Sequence, residues 1–126
     1  MVIMGMISSC KESAKKTDDQ EIKQPENMRF SLMDKEATGI DFVNKIENKK
    51  DFNIFTYRNF YNGGGVAIGD INNDGLPDIY LTSNFEKNKL DLNKGNFEFE
   101  DISATGQADG NKAWSTGVVM VDLNAD

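Results

Sequence analysis

Large apolar residues are nearly absent from Lys11 to Asn27, where Ile22 stands alone, and return from Met28 onward in short runs. A segment with so little apolar surface cannot offset the entropy of ordering, so 11–27 reads as a flexible tether. After it, Gly39–Asn44 predicts a short strand, and Lys45–Asp51 a charged loop or helical turn. Phe52–Tyr57, rich in aromatic and β-branched residues, predicts a second strand. Gly63-Gly64-Gly65 marks a turn, since three glycines in a row favour neither helix nor strand. These elements make 28–62 a lead-in segment.

From Val66 the runs become regular. Val66–Gly69 and Ile79–Thr82 flank a polar loop, and Asn88–Leu92 and Asn96–Glu100 follow, separated by Asn93-Lys94-Gly95. Four short strands with tight connections predict an antiparallel meander. A looser stretch, Ser103–Asn111, leads to Trp114 and then to Gly117–Asp122. Trp114 reads as a packing residue between successive units rather than a sugar-stacking platform.

An offset of 52 residues pairs Gly65–Asp74 with Gly117–Asp126, with five of the ten positions identical. Self-similarity at such a period signals a repeat architecture. Four strands per repeat imply a β-propeller blade rather than a helical solenoid. The expected organisation is an all-β chain with a first blade at 63–112 and the start of a second at 113–126.

The loop Asp70-Ile71-Asn72-Asn73-Asp74-Gly75-Leu76-Pro77-Asp78 is the chemically loaded part of this repeat. Alternating carboxylates and amides supply the hard oxygen atoms that calcium takes, and glycine permits the sharp turn that gathers them. The candidate ligands are Asp70, Asn72, Asp74, the Leu76 carbonyl and Asp78, with Asp122, Asn124 and Asp126 opening a second copy. An EF-hand is excluded: its twelfth loop position, which needs a bidentate carboxylate, is Leu81; Pro77 removes an N–H; and the flanks are strand-like. The glycine run lacks the Gly-Lys-Ser/Thr ending of a phosphate loop.

Charge sharpens the picture. Of the net −7, residues 1–57 carry −1 (nine Lys/Arg against ten Asp/Glu) and residues 58–126 carry −6 (five against eleven). An acidic second half without a basic patch argues against nucleic-acid binding. The chain has no His and one Cys, Cys10, so Ser-His-Asp and Cys-His catalysis, ordinary zinc sites and an internal disulfide are excluded from it. Residues 1–10 form a short apolar run ending Ser8-Ser9-Cys10, far below the roughly 20 residues a membrane span needs. They resemble the end of a bacterial lipoprotein signal, which implies lipidation at Cys10 and a lipid-anchored place in the cell envelope, at the outer membrane.

The run G-V-A-I-G-D-I-N-N-D-G-L-P-D-I-Y followed by N-K-L-D-L-N-K-G-N-F-E-F-E-D-I resembles an FG-GAP/VCBS repeat, the blade type of integrin α-subunit propellers and many bacterial surface proteins. The resemblance covers about residues 39–126. It implies structural calcium at Asp70, Asn72, Asp74, Leu76 and Asp78, and a binding, adhesion or scaffold role toward a protein or glycan. A different class stays open: the N-terminal part of an envelope polysaccharide-active, lyase-like enzyme whose catalytic residues lie beyond residue 126. Asp91 departs from the pattern, standing where relatives usually carry an aromatic.

Overall fold

The computed structural model describes residues 29–111 and 114–123; Cys10, the tether, Asn124 and Asp126 lie outside the described residues. The chain divides into two units, Met1–Ser31 and Leu32–Asp126. Of the first unit only 29–31 are described, and they are exposed. Among the described residues no helix is long and apolar enough to cross a membrane.

The second unit is built on one four-stranded antiparallel sheet in the order β1 (Val66–Gly69), β2 (Asp78–Leu81), β3 (Lys89–Asn93), β4 (Phe99–Asp101). Each strand pairs with the next in sequence: Ala67 faces Tyr80, Tyr80 faces Leu90, and Leu92 faces Glu100. This is the expected meander, and it is the architecture of a propeller-type blade.

Alternation sorts the side chains onto two faces. Ala67, Tyr80 and Leu90 share one face; Ile68, Ile79, Asp91 and Asp101 share the other. Little of the interior is apolar. Among the described residues the buried apolar ones are Phe60, Ala67 and Leu90, whereas Asp78, Thr82, Ser83, Asn84, Asn88, Asp91 and Ser103 are buried and polar. Hydrogen bonds therefore carry much of the specificity. Asn84 donates to the Gly63 and Ser115 carbonyls, the Asn44 amide donates to Asn84, and Ser103 Oγ accepts the Leu90 N–H.

Two expected strands differ. Gly39–Asn44 forms no strand: Gly39 takes the left-handed conformation that ends the preceding helical turn, and Asn44 is held by its hydrogen bond to Asn84. Phe52–Tyr57 is a run of bends and turns, not a strand. The Asn53 side chain donates to the Lys49 and Lys50 carbonyls and accepts the Phe55 N–H, so it diverts this backbone from a ladder. Gly117–Asp122 likewise forms no strand.

Strand β4 starts three residues later than expected, because Asn96 and Phe97 adopt φ of 53° and 63° and belong to the 94–98 loop. A single-turn helix, α1 (Lys35–Thr38), was not anticipated. It is capped by the Asp34 carboxylate at its start and Gly39 at its end, a legible Asp-x-x-x-x-Gly signal.

Trp114 also finds a different partner. It packs on the lead-in and the β2–β3 connection, with Phe52 at 4.9 Å, Phe85 at 5.2 Å, Phe60 stacked at 5.6 Å and Tyr57 at 5.7 Å between ring centroids. Aromatics at 52, 57 and 60 thus mark a cluster rather than a strand face.

Candidate metal-binding loop

The acidic loop connects β1 to β2, as the sequence implies. Asn73 and Gly75 lie in the left-handed region, at φ of 59° and 84°, and wind the chain tightly enough to gather its polar side chains. The Asp70 carboxylate accepts the Gly75 N–H at 2.8 Å, the Asp74 N–H at 3.2 Å and the Asn72 N–H at 3.3 Å. These bonds, the Gly75 one foremost, outweigh desolvation and hold its carboxyl below the usual carboxylate range. Asn72 donates to Asp74 Oδ2 at 2.8 Å, and Asp74 Oδ1 accepts the Leu76 N–H at 2.8 Å. Asp70, Asn72 and Asp74 are thus brought together on an exposed turn.

Asp78 is different. It is fully buried, with Oδ2 accepting the Ile71 N–H at 2.9 Å and Oδ1 accepting the Asn93 N–H at 2.7 Å. The side chain ties the loop's start to the end of β3. The sequence pointed to a ligand here and missed this clamp. Among the described residues no three His, Cys, Asp or Glu side chains converge on a common metal position.

The donor set nevertheless suits a hard cation. Asp70, Asn72 and Asp74 are exposed, the Leu76 carbonyl follows them, and each Asp78 oxygen has one N–H bonded, leaving a second lone pair.

Beside the loop lies a cleft of about 530 Å³ lined by Ile68, Gly69, Asp70, Ile71, Asn73, Met120, Val121 and Asp122. It places the first carboxylates of the two acidic motifs, Asp70 and Asp122, on one cavity. Asn124 and Asp126, the other residues of the second motif, lie outside the described residues.

The segment following Trp114 makes the opposite wall and closely approaches β1. A Cβ on Gly65 would stand 2.6 Å from the Thr116 carbonyl oxygen, and one on Gly69 would stand 2.8 Å from Met120 Sδ. Thr82 Oγ1 fastens the approach, donating to the Thr116 carbonyl at 2.7 Å and accepting the Gly65 N–H at 2.6 Å.

Sequence reasoning also missed a charged cluster on β3 and β4. Lys89 pairs with Asp101, which accepts the Ser103 hydroxyl and N–H as well. Burial alone would raise Asp101, but these bonds hold it down at about 2. Asp91, its cross-strand neighbour, is buried with Oδ2 unpartnered, and desolvation followed by the Asp101 charge pushes it up. The signal available in the sequence was the departure from an aromatic at this position.

A meander of four short strands with an acidic turn at its first hairpin defines the blade of a β-propeller-type repeat. Residues 70–126 match the family model of the FG-GAP-like repeat. No curated protein and no solved structure matches the chain.

Proposed function

We propose that the chain is a calcium-stabilised β-propeller-type module, held at the bacterial envelope by lipid on Cys10, that serves as a scaffold or binding surface for a protein or glycan. The observation that carries the calcium reading is the convergence of Asp70, Asn72 and Asp74 on one left-handed turn between paired strands. Calcium held by these residues with the Leu76 carbonyl and Asp78 would neutralise the charge of the turn and fix the β1–β2 hairpin. In this reading the ion's role is structural: it fixes the hairpin rather than carrying out a reaction.

Thermal unfolding with calcium and with chelator tests this reading. A calcium-dependent rise in Tm, absent with magnesium at equal concentration, is the expected outcome; identical melting in calcium and chelator would sink it. For the anchor, Cys10→Ser is expected to move the protein from the membrane to the soluble fraction. Retention in the membrane fraction would refute the anchor.

A further inference from the structure

The geometry points to Asn62 as a site of spontaneous covalent modification. Its side-chain amide deamidates through the Gly63 nitrogen and leaves isoaspartate in the main chain at the entry to β1. The chain holds one Asn-Gly step, Asn62-Gly63, and two Asp-Gly steps, Asp74-Gly75 and Asp109-Gly110. At each, the glycine nitrogen can approach the preceding side-chain carbonyl carbon closely, because no Cβ stands in the way.

The three steps differ in which atoms the fold leaves free. At Asp74 the Gly75 N–H is bonded to the Asp70 carboxylate at 2.8 Å. Both Asp74 oxygens are also held, by the Leu76 N–H and the Asn72 amide. At Asp109 the carboxylate pairs with Lys87, and a Cβ built on Gly110 would lie 2.9 Å from Asn88 Nδ2. Asn62 has none of these restraints. It is exposed, and neither its side chain nor the Gly63 N–H makes a hydrogen bond among the described residues. Nothing lies within 4 Å of a Cβ built on Gly63, so the ring has room to close. The amide is also the better electrophile, since an aspartate carries its charge at neutral pH.

The Gly63 nitrogen bonds to Asn62 Cγ and gives up its proton, the Cγ–Nδ2 bond breaks, and ammonia leaves. The cyclic imide then takes up one water. Opening at the side-chain carbonyl yields aspartate, and opening at the main-chain carbonyl yields isoaspartate. Both products add a negative charge, but isoaspartate also lengthens the main chain by a methylene. The next carbonyl along is that of Gly63, which accepts the Asn84 amide at 3.1 Å. Asn84 is buried and ties this turn to Asn44 and to the Ser115 carbonyl. Displacing that carbonyl leaves a buried donor without its partner, which is destabilising.

The test is incubation of the full chain at mildly alkaline pH, followed by peptide mapping with fragmentation that separates isoaspartate from aspartate. Asn62 is expected to convert ahead of every other asparagine, chiefly to isoaspartate, with Asp74 and Asp109 unchanged. The isoaspartyl form, isolated by anion exchange, should melt below the fresh parent. Freshly prepared Asn62→Asp carries the charge without the extra methylene and should melt with the parent. An Asn62 amide that persists, or that converts later than another asparagine, overturns the inference. So does isomerisation at Asp74 or Asp109 at a matching rate. An isoaspartyl form that melts with the parent, or an Asn62→Asp variant that melts equally low, refutes the effect on the Asn84 anchor.

Discussion

The Asn93 N–H donates to the Asp78 carboxylate at 2.7 Å, joining the end of the acidic loop to the end of the third strand in a site with no solvent exposure. The other Asp78 oxygen accepts the Ile71 N–H, so one side chain satisfies two backbone donors from separate segments. Removing a buried acceptor leaves its donors without partners, at about 1–3 kcal/mol for each group. Asp78→Ala is expected to lower stability by about 2–4 kcal/mol in the presence of chelator, as read by urea denaturation. A loss seen only with calcium present would mean that Asp78 acts solely as a ligand.

Asp74 should behave in the opposite way. Its carboxylate is exposed and bonds only within the loop, to Asn72 and to the Leu76 N–H. In chelator, Asp74→Ala is expected to cost no more than about 1 kcal/mol, the worth of an ordinary hydrogen bond. In calcium at about a hundredfold above its Kd, the parent should gain about 2.7 kcal/mol that the variant lacks. Isothermal titration of both proteins supplies the check.

Asp91 and Asp101 shift in opposite directions, so they shape stability in opposite ways across the acid range. The Asp101 carboxyl, held at about 2 against 3.8, adds stability that is present above 3.8 and lost as pH falls toward 2. Asp91 lies above 3.8, so its charge is a cost that grows as pH rises from 3.8 through its folded value. Asp91→Asn is expected to raise stability at neutral pH, with the gain vanishing as pH falls below 3.8. Chemical denaturation at several pH values measures it. A variant less stable than the parent at neutral pH would show that the buried carboxylate has a partner it needs.

Equivalent glycines of the two repeats should respond unequally to the same change. A Cβ on Gly65 would stand 2.6 Å from the Thr116 oxygen and 2.9 Å from the Val118 nitrogen, both backbone atoms that yield little. Gly65→Ala is expected to cost about 1–3 kcal/mol. Gly117→Ala meets open space and should leave the unfolding free energy within about 0.5 kcal/mol of the parent. Equal losses at both positions would disprove this difference in packing.

Legibility in the sequence followed the range of the interactions. The hairpin across Asp70–Asp78 was readable because strand patterning, left-handed turn residues and donor spacing all lie within sixteen consecutive positions, Gly65–Tyr80. The lead-in was misread because Asn53 bonds locally while Phe52, Tyr57 and Phe60 gather around Trp114, a partner far along the chain. No short-range pattern reports that. The start of β4 was missed for another reason: Phe97 at φ of 63° is a conformation its residue type disfavours, so propensity points the wrong way. At the site, the ligand-type residues were visible as a set. The inward clamp of Asp78 depends on Asn93, which enters only when β3 is laid beside β2.

The ring cluster around Trp114 also orders the events of folding. Each of the three strand pairings joins neighbours in sequence and closes a short loop, whereas seating Trp114 against Phe52 must bring together positions on either side of the whole sheet. Closing that longer loop costs more entropy before any contact rewards it. The meander can therefore form first and the aromatic clasp last.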